Sequence, residues 1–450
     1  MMTEKAKKFA DPPHIQGWNP FKGFMGIRRD PLNMFLHARQ FGDVVQLMRF
    51  PRKIYFINHP DHIKDMLVTH NSRFHKNLIL QRTKRVLGNG LLTSEDEFHL
   101  RQRRLAQPAF HRQRIHGYAN VMADLAARER DRWQNGTEMD IHVAMMKLTL
   151  AIAGKTLFDS DVENDSDDIG RAMHIFMEMF GLMFLPGSQY IEMLPLPAFK
   201  RLRKSRARVD EIIYGLISER RQSGRDHGDL LSMLIAASDA EGDGTGMSDQ
   251  QLHDECLTIL LAGHETTANA LSWTWMLLAR NPEVEAKFHS ELENVLQGRR
   301  PTADDFSNLK YTEMVLAESM RLYPPAWAMG REAMEDHFVA DYRIPRGAMV
   351  LCSQWAMHRD ERYWSNPLKF DPERFLPEAK AMRPKFSYFP FGGGPRLCIG
   401  ESFAWMEGVL VLATIAQQWK FKLVESHPIE LQPVITLRPK HGIRVIAEKR

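Results

Sequence analysis

The stretch FGGGPRLCIGE, residues 391–401, places one of the chain's three cysteines in a glycine-rich loop. Glycine adopts positive φ easily and lets another group approach the backbone, and Pro395 stiffens the turn. The apolar run that follows has helical periodicity and predicts a buried helix over about 400–418. Cys398 would then lie at a helix N-terminus, where unpaired N–H groups and the helix dipole favour the metal-binding thiolate. Gly400 would leave room for a flat, bulky group.

The other two cysteines have no such surroundings. Cys256 and Cys352 lie far from Cys398 and from each other, so the sequence predicts neither a disulfide framework nor a paired C-x-x-C site. This usage is typical of a reducing, intracellular setting. The plainer alternative for a lone cysteine is a buried structural residue, and we keep that interpretation for Cys256 and Cys352. A structural zinc site at Cys398 is excluded, because no second thiol or ligand-spaced histidine is near it in sequence.

Composition indicates a globular protein and argues against nucleic-acid binding. Of the 450 residues, 44% are hydrophobic and 26% are charged, and the net charge is only +4. The first 21 residues lack the apolar core of a signal peptide. No run approaches the roughly 20 apolar residues that span a bilayer. We therefore expect a cytoplasmic protein without a membrane anchor.

Periodicity predicts a helix-rich body with a small β-rich portion. Residues 43–58 alternate apolar and polar side chains and predict a β-hairpin, whereas residues 71–95 are predicted to form a loop. Helical periodicity dominates from about 96 to 325, with several Gly- and Pro-containing breaks. Short strands are predicted over 331–375 and at the end of the chain. The length allows two domains or one large one.

A polar motif interrupts one of the predicted helices. LLAGHETTANAL, residues 260–271, places Glu265, Thr266 and Thr267 in an apolar helix, where such side chains compete for backbone hydrogen bonds. Taken alone, the motif is equally well explained by an exposed helix face.

Charged residues form a second motif further along. In MVLAESMRLYPP, residues 314–325, Glu318 and Arg321 are three positions apart and lie on one helix face. FDPERF, residues 370–375, supplies Arg374. A surface ion pair of little energetic value is the simple alternative.

Taken together, these motifs resemble the cytochrome P-450 family of haem-thiolate monooxygenases, in its soluble bacterial form. The loop matches the family's haem-binding pattern at Phe391, Gly392, Gly394, Arg396, Cys398 and Gly400. The resemblance implies that the chain binds haem b and that the thiolate of Cys398 is the axial ligand of the iron. It spans about residues 35–450 and implies one mainly α domain (α+β), a large helical body with a small β-rich portion. Residues 1–34 would form a lead segment.

The resemblance also assigns roles to the polar motifs. In the family's long distal helix, Glu265 and Thr266 would relay protons to the site of dioxygen activation, which is otherwise kept dry. Gly263 would allow that helix to widen locally. Glu318, Arg321 and Arg374 would form a buried structural network, in which a missing partner would leave a costly unpaired charge.

Four side chains would contact the haem propionates, which need cationic or donor partners. The resemblance suggests His99, Arg103, Arg331 and Arg396. FHLRQRRLAQPAF, residues 98–110, matches the family's W-x-x-x-R helix except that His99 replaces the tryptophan, a departure that keeps a donor. Without that role, His99 would be an ordinary helix-surface histidine.

The implied function is an enzyme that inserts one oxygen atom of dioxygen into a C–H bond of a large apolar substrate. Fatty acids, terpenoids and steroids all fit. Electrons would come from a separate ferredoxin- or flavodoxin-type donor with its reductase, because the sequence shows no flavin or iron–sulfur motif. Two alternatives stay open: a non-enzymatic haem carrier or sensor, and a peroxide-using or rearranging enzyme. Members of the last kind often lack the acid–alcohol pair, so Glu265 and Thr266 favour dioxygen activation.

By the same resemblance, five segments would face the substrate: 71–95, 173–194, 258–267, 325–330 and 434–437. The stretch 173–193 is dense in Met and Phe, which repack readily around ligands, although helix packing explains much of that composition. Five basic residues could form part of a docking face for an acidic electron donor: Arg101, Arg104, Arg112, Lys385 and Arg396. A solvated surface explains them equally well.

Overall fold

The computed structural model describes residues 10–15, 29–50, 52–159, 197–239, 242 and 244–450. Within them the helices are α1 (Pro31–Ala38), α2 (Pro60–Lys64), α3 (Leu78–Leu87), α4 (Asp96–Ala106), α5 (Arg112–Asp131), α6 (Ile141–Phe158), α7 (Pro197–Ser223), α8 (Leu230–Ala236), α9 (Asp249–Arg280), α10 (Pro282–Leu296), α11 (Lys310–Leu322), α12 (Gln354–Met357), α13 (Pro377–Ala381) and α14 (Glu401–Ala416).

The strands are short and fewer. They are β1 (Val44–Met48), β2 (Ile54–Ile57), β3 (Phe74–Lys76), β4 (Glu138–Asp140), β5 (Met329–Ala333), β6 (His337–Val339), β7 (Tyr342–Ile344), β8 (Met349–Cys352), β9 (Trp419–Leu423), β10 (Leu431–Pro433), β11 (Leu437–Pro439) and β12 (Arg444–Lys449). Helices dominate, which confirms the predicted mainly α fold with a small β portion.

Contacts divide the chain into two compact units. The first consists of Met1–Leu78, Ala326–Lys369 and Ala381–Cys398, and the second of Ile79–Pro325, Phe370–Lys380 and Ile399–Arg450. The domain boundaries predicted from the sequence, 1–34 and 35–450, stay a prediction.

The first unit holds a five-stranded sheet in the order β1-β2-β8-β5-β3. The β1–β2 hairpin, predicted over 43–58, pairs Val44 with Ile57. Its β-branched and aromatic side chains are buried along both strands, and β2 pairs with β8 in parallel. A separate β6–β7 hairpin completes the strands of this unit. Part of the lead segment also packs here, since His14 bridges to Gln46.

The second unit is mostly helical and is organised by α9, a helix of 32 residues. Ser248 caps its first turn in a capping box with Gln251, and Pro282 follows its end. Two small sheets belong to this unit, β4-β12-β9 and the β10–β11 hairpin. The helix α14 begins and ends within two residues of the bounds predicted for it.

One segment prediction was wrong. Residues 71–95, expected to be a loop, contain β3 and the ten-residue helix α3. Ile79, Val86 and Leu87 pack into one apolar cluster. Their spacing is helical, but the basic residues between them obscure the pattern, and the helix ends where Gly88 adopts a φ of +73°.

One described helix, α6, is long and apolar enough to cross a membrane. It is 72% buried in the structure, as a core helix of a globular protein would be. The helix breaks predicted between 161 and 196 and the Met- and Phe-rich stretch 173–193 lie outside the described residues.

Candidate active site

The cysteine loop of the first unit is a tight backbone structure that leaves its thiol exposed. The Cys398 N–H donates to the Phe391 carbonyl at 3.0 Å, which draws the two ends of the loop together. The Leu397 N–H donates to the Gly394 carbonyl, also at 3.0 Å. Cys398 is exposed, whereas the other two cysteines are buried.

Position 394 needs a glycine for two reasons. Its φ is +70°, and a Cβ there would overlap the carbonyl oxygen of Leu67. Leu67 lies in the π-helical turn Asp65–Thr69, which continues α2. The cysteine loop therefore packs directly against that turn, and a side chain at position 394 would push the loop away from the turn.

Burial separates the three thiols chemically. It raises the pKa of Cys352 to about 12 and that of Cys256 further still, so both remain protonated at neutral pH. Neither has the exposure that a metal-binding thiolate needs. The structural interpretation of Cys256 and Cys352 is therefore supported.

Three of the other predicted cofactor residues accompany Cys398 in the first unit. Arg331 lies on β5, is 5% exposed and donates from Nη1 to the Gly330 carbonyl at 3.0 Å. Arg396 and Phe391 lie in the cysteine loop and are half-buried. The first unit thus supplies a thiol and two guanidinium groups.

The remaining predicted cofactor residues belong to the second unit. His99 and Arg103 are four positions apart on α4 and so share a face. His99 is buried, with Nδ1 3.2 Å from the Ser94 hydroxyl, so it is not an ordinary surface histidine. Gly400 is the N-cap residue of α14, one position before the first helical residue, Glu401.

The middle of α9 has one open face. From Leu252 to Leu278 every residue is buried except Leu261, Ala262, Gly263 and Thr266. A Cβ added at Gly263 would meet nothing within 4 Å. An otherwise buried core helix therefore presents a small patch of backbone and short side chains to open space, as a flat cofactor or a substrate requires.

Glu265 points away from that face into a buried hydrogen-bond network. Its Oε1 accepts a hydrogen bond of 2.6 Å from the Thr436 hydroxyl, which also accepts from Nδ2 of Asn269 at 3.1 Å. The Arg438 guanidinium lies 4.0 Å from the same oxygen. Burial raises the pKa of Glu265, and Thr436 and Arg438 oppose this by stabilising the carboxylate. The carboxyl group is thus a better proton donor near neutral pH than an exposed glutamate.

Thr266 lies on the open face and does not contact Glu265 through any hydrogen bond that the structure shows. Its hydroxyl donates to the Ala262 carbonyl at 2.7 Å, while Thr267 donates to that of Gly263 at 3.1 Å. Adjacent helix residues point about 100° apart, so the acid and the alcohol of the motif face different surroundings. Glu265 and Thr266 are neighbours in sequence, but their side chains form hydrogen bonds with different partners.

A second buried carboxyl group lies on α14. Glu407 is 1% exposed, and burial raises its pKa well above the usual range, with the Thr267 hydroxyl opposing the shift. Burial therefore favours the protonated form of Glu407 over the carboxylate.

The predicted structural network is present in the second unit. Glu318 and Arg321 form a bidentate ion pair with two contacts of 2.7 Å, and both are fully buried. Oε1 of Glu318 also accepts from the Asp371 N–H at 3.0 Å and lies 3.3 Å from Nε of Arg374. The surface-pair alternative is thereby excluded.

An aliphatic cluster continues from the open face of α9. Leu87 is its buried centre, and five half-buried side chains pack against it: Ile79, Val86, Leu202, Leu261 and Ile435. Three of the five segments predicted to face the substrate thus meet at this cluster, which we call the aliphatic cluster.

Two of the five residues predicted for a docking face are otherwise engaged. Arg104 forms a bidentate pair with the buried carboxylate of Asp239, at 2.8 and 2.7 Å, and Arg101 lies 3.4 Å from the same group. Their charge is partly neutralised, which weakens their part in attracting an acidic partner.

Sequence reasoning missed three functional candidates. In ITLRP, residues 435–439, Thr436 and Arg438 are two positions apart. In an extended segment this spacing places both side chains on the same face, which indicates that they can act together. Glu407 is a lone acid in an otherwise apolar helical run, which was also a signal.

Comparison with known proteins assigns this architecture. The sequence profile described as Cytochrome P450 matches residues 13–446. Cyclooctatin synthase of Streptomyces melanosporofaciens is 38% identical, with 94% of this chain and 92% of the relative covered. Pentalenene oxygenase of Streptomyces avermitilis is 32% identical, with 92% and 90% covered.

Solved structures agree. A structure described as retinoic acid-bound cyanobacterial CYP120A1 superposes with a TM-score of 0.87 at 26% identity, covering 98% of this chain and all of that one. A cytochrome P450DA haem domain gives 0.86 at 26% identity, covering 98% of each chain.

The residues described above fit haem b, the cofactor of the cytochrome P450 family. Haem b bound through a cysteine thiolate needs an exposed thiol, cationic partners for two propionates and a flat open surface. Within the first unit, the exposed Cys398 and the guanidinium groups of Arg331 and Arg396 meet the first two needs. The second unit, taken by itself, has an open face on α9. The chain binds haem b through a cysteine thiolate and is a monooxygenase. From its sequence, its fold and the composition of its site, the chain belongs to the cytochrome P450 family.

Proposed function

We propose that the chain hydroxylates a large, uncharged hydrocarbon of the terpene class. The observation that carries this proposal is the aliphatic cluster beside the open face of α9. Its six side chains are branched aliphatic groups, which recognise a hydrocarbon skeleton by shape and burial rather than by charge. Relatives that oxidise terpenes, cyclooctatin synthase and pentalenene oxygenase among them, support the same class.

Cys398 is the residue we propose as the haem ligand. It is the exposed cysteine, its loop matches the family pattern, and burial keeps the other two thiols protonated. Only a thiolate is an effective ligand. The proposed partners of the haem propionates are His99, Arg103, Arg331 and Arg396, and we propose that Phe391 and Gly400 pack near the cofactor.

Bound haem would supply the activation of dioxygen: one oxygen atom would enter a C–H bond, and the other would leave as water with two protons and two electrons. The chain's own residues supply the protons. Thr266 is proposed to hold a proton donor at the open face, where its hydroxyl is half-exposed. Glu265 is proposed to resupply it, because burial raises its pKa and lets it hold a proton to higher pH than an exposed glutamate does.

The electrons are proposed to come from a ferredoxin- or flavodoxin-type protein with its reductase. Of the five basic residues predicted for its docking face, Arg101 and Arg104 pair with Asp239, and Arg396 is already proposed as a propionate partner. Arg112 and Lys385 are therefore the better candidates. A cytoplasmic location accords with this proposal. The carrier or sensor alternative would need neither electrons nor a proton relay.

A spin-state titration of the purified haem protein tests the substrate class. Terpene hydrocarbons should shift the haem to high spin, and matched fatty acids and steroids should not. A shift with fatty acids alone, or with none of the panel, would contradict the terpene assignment. Turnover with a surrogate ferredoxin and reductase under ¹⁸O₂ then separates an enzyme from a carrier, since a carrier binds without forming labelled product.

A further inference from the structure

Three side chains of metal-binding type converge in the first unit, and none of them is among the predicted cofactor residues. Nδ1 of His70 lies 2.6 Å from Oδ1 of Asp65, and Nε2 of His337 lies 2.8 Å from Oδ2 of the same carboxylate. The potential ligand atoms of the three residues all lie within 4.8 Å of one another.

The fold builds this cluster from a rare element and a hairpin. Asp65 is the first residue of the π-helical turn and His70 follows its last, and the His70 N–H donates to the Asp65 carbonyl at 2.8 Å. A π turn places residues five apart on one face, which an α-helix would not do, and such turns occur frequently at functional sites. His337 is the first residue of β6 and reaches the same carboxylate.

We propose that Asp65, His70 and His337 form a Zn²⁺ site with a solvent molecule as the fourth ligand. Two imidazoles on one tetrahedral zinc, with Zn–N bonds of about 2.0–2.1 Å, have ring centroids about 5 Å apart. The centroids of His70 and His337 are 5.4 Å apart, with the ring planes inclined by 63°. Small side-chain movements therefore convert the hydrogen-bonded cluster into a coordination sphere.

Exposure of the three side chains supports an open site. The His337 side chain is 3% exposed, that of Asp65 is 22% and that of His70 is 36%. The buried histidine anchors the site, while the other two ligands leave a path for the ion and a position for water. Two imidazole nitrogens select zinc over Mg²⁺ and Ca²⁺, which prefer oxygen ligands.

The site has a structural consequence for the cysteine loop. The π turn between Asp65 and His70 carries Leu67, whose carbonyl oxygen lies against Gly394. Zinc bound at both ends of the π turn would stabilise this turn, against which the cysteine loop packs. Because only the folded chain brings the three ligands together, zinc should raise the thermal midpoint of the haem protein.

The test is equilibrium dialysis of the haem-loaded, chelator-treated protein against Zn²⁺. The wild type should retain one equivalent with a raised thermal midpoint, and Mg²⁺ or Ca²⁺ should give neither. His70→Ala and Asp65→Asn should weaken zinc binding at least about tenfold. His441→Ala is the matched control, because His441 also lies near a carboxylate, 3.5 Å from Glu430, and should leave binding unchanged.

Two outcomes would overturn the proposal. One is a wild type that retains no zinc above the level of His70→Ala, which would show a hydrogen-bonded cluster only. The other is full zinc binding by Asp65→Asn with a normal haem spectrum. The experiment reads metal content and stability, so it is independent of the proposed hydroxylation.

Discussion

Thr436 donates a hydrogen bond of 2.6 Å to the carboxyl group of Glu265, across 171 residues of sequence. This bond holds the acid on the buried side of α9, while Thr266 faces the open side. We infer that proton delivery requires the Glu265 carboxyl to leave Thr436 and rotate toward the open face. Thr436 would then be a positioning residue that holds the carboxyl group on the buried side and lowers its pKa against the larger effect of burial.

Replacing Thr436 with Val should shift the pH dependence of coupled turnover. The hydroxyl of Thr436 lowers the pKa of Glu265 against the larger effect of burial, so removing it should raise that pKa further. Glu265 would then stay protonated to higher pH, and the alkaline fall in product formed per electron pair should move upward. Thr436→Ser keeps the hydroxyl and should match the wild type. Identical profiles for Val and wild type would argue against this role.

Glu265→Gln should change stability in a pH-dependent way. A carboxyl group whose pKa is raised by folding contributes stability below its unfolded pKa and loses it as pH rises through the folded pKa. Glutamine still accepts the Thr436 hydrogen bond but never ionises. The thermal midpoint of the variant, relative to wild type, should therefore be more favourable at about pH 8 than at about pH 5. A difference that is constant with pH would show that Glu265 does not titrate in this range.

Features of the fold and of the candidate site that have a local physical signature could be predicted from the sequence. The glycine loop around Cys398, the helix that follows it and the i, i+3 pair of Glu318 and Arg321 can all be recognised within a dozen residues. The helix α3 was missed because its basic residues mask its apolar spacing.

Contacts between distant segments could not be predicted in this way. Nothing near Glu265 in sequence indicates Thr436, and neighbours in the motif suggested an acid–alcohol pair that helix geometry separates. Asp239, which neutralises Arg104, and His337, which meets Asp65, are likewise brought in only by tertiary packing.

Glu318→Ala should be severely destabilising. It would leave Arg321, which is fully buried, without its bidentate partner, at a cost of about 3–5 kcal/mol in the free energy of unfolding. Glu313→Ala on the same helix is the control and should cost about 0.5 kcal/mol or less, because Glu313 is half-buried and has no such pair. Urea unfolding of both variants measures the difference, and equal costs would mean that the network adds nothing specific.

Leu202→Ala should weaken substrate binding without unfolding the protein. Leu202 is a half-buried member of the aliphatic cluster, so its truncation removes contact area with a hydrocarbon and should lower affinity about tenfold. Leu216→Ala is a matched control on the same helix, since Leu216 is also half-buried but packs against a different core cluster. Spin-state titrations compare the two. Equal affinities would place the substrate elsewhere.

The proposed oxygen chemistry depends above all on which residue is the axial ligand of the haem iron. The direct measurement is the absorption spectrum of the reduced, carbon monoxide-bound protein for the wild type and for Cys398→Ala, with Cys256→Ser and Cys352→Ser as controls. The red-shifted Soret band of a thiolate-bound haem should be present in the wild type and both controls and absent in Cys398→Ala. Retention of that band in Cys398→Ala would contradict the account.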